Sequence, residues 1–122
     1  MEKVEKSWGW EHWFANTARY CGKLLFVRHD EWSSKGAYHY HKMKDETFFV
    51  VSGELRLDYV TMDGEFKTVI LKKHESLRLH QYMKHRFTAT LPEGCEFVEA
   101  STTHRESDSY RVNWNCDKWI PI

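Results

Sequence analysis

The stretch Glu54-Leu55-Arg56-Leu57-Asp58-Tyr59 alternates charged and apolar or aromatic side chains without a break. Period two is the pattern of a strand with one buried and one wet face. Strand-like runs recur at Tyr20 to Arg28, Glu46 to Val51, Phe66 to Leu71, Ser76 to His80, His85 to Thr90 and Cys95 to Ser101. Between them stand the turn signals Ser52-Gly53, Met62-Asp63-Gly64 and Leu91-Pro92-Glu93-Gly94. There Gly or Asp accepts backbone conformations that β-branched residues resist. Helical spacing is hard to find, and short connections favour antiparallel neighbours, so the pattern predicts an all-β sandwich or small barrel. Near the N-terminus Trp8, Trp10, Trp13 and Phe14 form an aromatic segment suited to core or dimer interface, while Asn113 to Ile122 loses the alternation and carries Trp114, Trp119 and Pro121. The expected organisation is one domain over 1–122: an N-terminal strand or dimer arm at 1–19, a barrel at 20–112, and a tail at 113–122 that packs on the barrel or on a partner subunit.

Charge and composition narrow the partners. The 122 residues carry 18 Lys plus Arg against 18 Asp plus Glu, a net charge of zero. That balance supplies no basic field for nucleic acid and no polycationic face for lipid headgroups, so neither partner is expected. Seven Phe, 6 Trp and 6 Tyr give ample apolar volume for a core. Cys21, Cys95 and Cys116 are odd in number and lack C-x-x-C spacing, which argues against a disulfide framework or thiolate zinc site and for a reducing, cytoplasmic setting. The first six residues have no apolar leader pattern, and the longest aliphatic or aromatic runs, Leu24 to Val27 and Phe48 to Val51, are too short to span a membrane as helices. Histidine is the outlier, with 8 copies of the commonest metal ligand.

The chemistry concentrates in Tyr38-His39-Tyr40-His41-Lys42-Met43-Lys44-Asp45-Glu46. Residues two apart on a strand share a face, so His39 and His41 aim both imidazoles at one point. Glu46 lies at an odd offset from His39 and would face the other way on a continuous strand, so Lys42 to Asp45 must form a corner. The following run, Thr47 to Val51, reverses at Ser52-Gly53 and returns Glu46 beside the histidines. A further ligand must come from elsewhere; His85 is the first candidate and His80 the reserve.

These residues resemble the cupin superfamily, whose first motif His-x-His, a short spacer, Glu, six residues, Gly is matched by His39, His41, Glu46 and Gly53. The resemblance implies a double-stranded β-helix, or jelly-roll, and a third histidine ligand at His85. The second motif departs from the family pattern: His74 and His80 stand where Gly and Pro are usual, and Ala89 where Asn is. A further likeness, from about Trp8 to Arg111, is to small cupins of the type II phosphomannose isomerase and D-lyxose isomerase kind. It is carried by Trp8-Gly9-Trp10-Glu11, Tyr20 to Leu25, Lys44 to Thr47, Ser101-Thr102, His104 and Asp108 to Arg111. It implies metal ligands His39, His41, Glu46 and His85, a role for Lys44 at the reacting centre, and substrate binding by Lys23 and Arg111. The general base falls to Glu99 or Glu96, and since the two are three apart on one strand only one can face inward.

Three imidazoles and a carboxylate suit Mn, Fe, Co, Ni or Zn and leave positions open for substrate. The reaction expected first is metal-assisted proton transfer on a sugar or sugar phosphate, an isomerisation or epimerisation through an enediolate with Glu99 as base. An Fe(II)-dependent dioxygenase and a non-catalytic sugar- or metal-binding module are the alternatives. A homodimer paired through the N-terminal strand completes the expectation.

Overall fold

The computed structural model describes residues 2–122. The alternating stretch forms strand β6 (Leu55–Val60), with Leu55 and Leu57 fully buried on its inner face. Before it come β1 (Glu2–Lys6), β2 (Gly9–Asn16), β3 (Cys21–Val27), β4 (Tyr38–Tyr40) and β5 (Glu46–Ser52). After it come β7 (Phe66–Leu71), β8 (Ser76–Leu79), β9 (His85–Ala89), β10 (Cys95–Ser101), β11 (Tyr110–Asn115) and β12 (Lys118–Pro121). They build two six-stranded sheets, ordered β1-β2-β3-β10-β5-β8 and β12-β11-β4-β9-β6-β7. Every ladder between these strands is antiparallel. This is the all-β barrel the strand pattern called for, in the jelly-roll form that the resemblance implied.

The core lies between the sheets. Leu25, Val27, Phe48, Val50, Cys95 and Phe97 come from the first sheet, and Leu55, Leu57, Phe87 and Ala89 from the second. Each large side chain buried there contributes about 1.5–3 kcal/mol, which is lost if the sheets part. The β5–β6 reversal depends on Gly53, whose φ of 79° lies in the left-handed region. A Cβ at this position would stand 2.2 Å from the Gly94 carbonyl oxygen, so no side chain fits.

Three features differ from the sequence expectations. The segment read as a tail is a hairpin: β11 runs through the 112/113 division and β12 folds back on it, pairing Trp114 with Trp119. Its turn places Cys116 at a φ of 60°, without the Gly or Asn that would mark it in the sequence. The N-terminal segment is two strands, not one, and the second of them, β2, pairs along β3 inside the first sheet. Its aromatics are divided: Trp8 is in the core, Trp10 stacks on Phe26, Trp13 meets His104, and Phe14 is exposed. Finally, the wet face of β6 is covered at Asp58, which is 2% exposed and held by Arg56, Arg86 and Thr68. On that outer side Tyr38, Val60 and Val112 form a second small cluster against Tyr40 and Trp119.

Candidate metal centre and pocket

Strand β4 carries His39, and His41 follows immediately after its end. Strand β9 opens on His85, which is paired in register with His39. Ring nitrogens of His39, His41 and His85 all lie within 4.8 Å of one another. Metal–nitrogen bonds of about 2.0–2.1 Å place such atoms about 3–4 Å apart, so small side-chain adjustments close the set on an ion. The ring orientations fit. His41 Nδ1 donates to the Asp108 carbonyl at 2.7 Å and His85 Nδ1 to the Met83 carbonyl at 2.8 Å, which leaves both Nε2 lone pairs free. His85 Nε2 is buried without a hydrogen-bond partner, as is His39 Nδ1.

Glu46, at the start of β5, reaches the same point from the other sheet. Its Oε2 is 3.4 Å from His41 Nε2 and 3.2 Å from His85 Nε2, the latter without the geometry of a hydrogen bond. Lys42 to Asp45 make the corner that the parity of His39 and Glu46 demands. Burial opposes charge on Glu46, yet the two imidazoles and Lys44 outweigh it and hold its carboxyl well below the usual range. Burial and the neighbouring imidazoles of His85 and His41 push His39 well below its ordinary value, keeping it neutral and available as a ligand. For His41 burial acts downward too, but contact with Glu46 prevails and raises it. His80, the reserve ligand, is exposed and outside the cluster.

A cavity of about 860 Å³ opens beside the histidines, and its far wall comes from the first sheet. Glu99, on β10, is 4% exposed and lines it, whereas Glu96 points away and is absent from the lining. Lys44 Nζ lies 2.5 Å from Glu99 Oε2 and 3.9 Å from Glu46 Oε1. Burial would lower the Lys44 pKa, but the charges of Glu99 and Glu46 overcome it and raise it. Ser101 Oγ donates to Glu99 at 3.0 Å. Lys23, on β3, is 2% exposed; its Nζ sits 4.2 Å from the Trp13 ring centre and 3.5 Å from Glu11 Oε1. Arg111, exposed on β11, pairs in register with His39, which puts its side chain on the same face at the mouth.

Two lining residues, both within the segments that carry the isomerase likeness, receive no role from the sequence. His104 accepts at Nδ1 from Lys23 at 3.2 Å and Lys44 at 3.1 Å, so its proton sits on Nε2, facing Glu106 at 3.3 Å. Burial, reinforced by the two ammonium groups, depresses its pKa to about 4. Glu11, 8% exposed, accepts from Trp13 Nε1 at 2.7 Å and balances Lys23. Their roles are not readable locally, because the lysines they meet, Lys23 and Lys44, lie far away in the chain.

A family model described as a cupin domain matches residues 29–101. No curated protein matches the chain. Among solved structures it is similar to oxalate decarboxylase from Bacillus subtilis, with a TM-score of 0.78 and 14% identity over 90% of this chain and 29% of that one. KdgF from Halomonas sp. superposes with a TM-score of 0.69 and 15% identity, over 88% of this chain and 92% of the other. The capsular polysaccharide assembling protein CapF from Staphylococcus aureus gives 0.77 and 16%, over 89% and 31%. The chain thus spans about three tenths of the oxalate decarboxylase and CapF chains, and at these identities the likeness is one of fold.

Proposed function

The chain belongs to the cupin domain family, and on that premise we propose that it is a metal-dependent sugar or sugar-phosphate isomerase or epimerase. The observation that carries this reading is Glu99, a buried carboxylate lining the same cavity as His39, His41 and Glu46, with a lysine ammonium 2.5 Å away. A buried acid and base facing the candidate ligands favour proton transfer over a purely binding role.

His39, His41, His85 and Glu46 would hold the ion. A divalent Mn, Fe, Co, Ni or Zn ion in that set supplies Lewis acidity that lowers the cost of enediolate charge. In an isomerisation Glu99 takes the proton from the carbon next to the substrate carbonyl and returns it to the former carbonyl carbon while the hydroxyl proton passes to the carbonyl oxygen. In an epimerisation Glu99 takes the same proton and water returns one on the opposite face. Lys44 keeps the Glu99 carboxylate oriented and neutralises charge beside it. Lys23 and Arg111 bind substrate oxygens, Arg111 with the planar fork that suits phosphate.

The test is proton NMR in deuterium oxide on aldoses, ketoses and their phosphates with metal-loaded protein, alongside oxygen consumption. Deuterium entering next to the carbonyl, lost by about 10²-fold or more in Glu99→Gln and without oxygen uptake, is the expected result. Substrate-dependent oxygen uptake would move the assignment to a dioxygenase, and full turnover by Glu99→Gln would remove that residue from its role.

A homodimer is part of the same reading. Phe14 remains as an exposed aromatic on β2, at 56% exposure, while the charged edge strand β1 limits strand pairing. Light scattering at micromolar concentration reads it directly, and a monomeric mass contradicts it. The three cysteines are free, which supports a cytoplasmic setting, and no helix among the described residues is long and apolar enough to cross a membrane.

A further inference from the structure

We propose that Asp108 is a positioning residue that pre-forms the metal site, locking the corner between His41 and Glu46 with its carboxylate and the ring of His41 with its carbonyl. The inference rests on the metal reading above and adds a residue to it. His41 and Glu46 are separated by Lys42 to Asp45, which cannot lie along one straight strand and still bring both side chains to one point. Apolar packing does not hold this corner, since Lys42 and Met43 are exposed.

Asp108 holds it instead. It ends a 3-10 turn at Glu106–Asp108, just before β11, and is 4% exposed. Its Oδ1 accepts from the backbone N–H of Lys42 at 2.8 Å and of Met43 at 3.2 Å; its Oδ2 accepts from Met43 at 3.1 Å and Lys44 at 3.0 Å. Three successive amides thus converge on one carboxylate, a main-chain nest. Among the described residues no Lys, Arg or His side chain makes an ion pair with Asp108, so these amides replace the water that a buried carboxylate gives up. The Asp108 carbonyl meanwhile accepts from His41 Nδ1 at 2.7 Å, which fixes the tautomer and leaves Nε2 to bind. One residue therefore sets the spacing of two ligands and the ring orientation of one. Three positions later the same segment carries Arg111, so the ligand corner and the mouth of the pocket share one support.

The experiment is titration of metal-free protein with Co(II), read by visible d–d absorption, on the parent, Asp108→Asn and Arg78→Ala. An Asn side chain turns one acceptor into an N–H donor aimed at backbone N–H groups. Arg78 holds the same corner from outside through Asp45 at 2.6 Å and serves as the comparison. Asp108→Asn should weaken Co(II) binding 10- to 100-fold and change the d–d band at saturation, while Arg78→Ala stays within about twofold of the parent with an unchanged band. A folded Asp108→Asn protein that binds like the parent with the parental spectrum overturns the inference. A parent that takes up no Co(II) overturns the metal reading and this inference with it. Should Asp108→Asn not fold, amide exchange in the metal-free parent decides: slow exchange at Lys42, Met43 and Lys44 before any metal is added supports a pre-formed corner. Fast exchange that slows only with Co(II) contradicts it.

Discussion

His104 is neutral because two lysine ammonium groups point at its Nδ1 and burial opposes a second proton. Its folded pKa, about 4, lies below the ordinary 6.5, so between those values the unfolded chain binds more protons than the folded one. Stability from this source is full above pH 6.5 and falls as pH drops towards 4. His39 acts in the same sense, so the variant is what isolates His104: in metal-free protein, urea midpoints measured from pH 4 to 7 should fall less steeply for His104→Gln than for the parent. Parallel curves would show that the histidine does not titrate as described. The cysteines make a second prediction at this scale. Burial raises the thiols of Cys21 and Cys95, the latter to about 12, whereas Cys116 is exposed. Ellman's reagent should therefore titrate one thiol in the native protein at pH 8 and all three in denaturant; rapid reaction of a second native thiol would contradict this burial.

The strands most legible in the sequence are those whose alternation is bounded by glycine turns. Strand β5 begins at Glu46, as read, and Gly53 closes its hairpin because the left-handed φ and the Gly94 carbonyl leave no room for a Cβ. Gly53→Ala should cost about 2 kcal/mol or more by chemical denaturation, and a cost within 0.5 kcal/mol would refute that account. The β11–β12 hairpin was not legible, because its turn hides the positive φ under Cys116 and its Trp residues alone gave no register. Trp119 packs against Tyr38, Phe66 and Trp114. Being partly buried, it should cost about 1–3 kcal/mol as Trp119→Ala, whereas a tail without this packing would show no loss. The corner at Lys42 to Asp45 could be deduced from parity, since an odd offset between ligands forbids a straight strand. What holds it could not, because Asp108 lies far along the chain and carries no local signature of the task.

Across the molecule the candidate site divides between the two sheets. The second sheet and its flank supply the three histidines; the first sheet and its approach supply Glu46, Lys44, Glu99, Lys23 and Glu11. Spacing within one segment made the ligand motif readable, whereas the opposite wall exists only once the sheets close. An ion held by His39, His41, His85 and Glu46 would tie the sheets together, so binding should stabilise the fold by about 2.7 kcal/mol at a hundred times its Kd. A metal-dependent rise in melting temperature, absent in His39→Ala, is the expected sign, and an equal rise in both proteins would place the ion elsewhere.

The most direct test of the central claim is elemental analysis of protein purified without added metal, beside His39→Ala and His85→Ala. The account predicts close to one transition-metal ion per chain in the parent and loss of it in both variants. A parent without metal, even after reconstitution with Mn, Fe, Co, Ni and Zn, would contradict it.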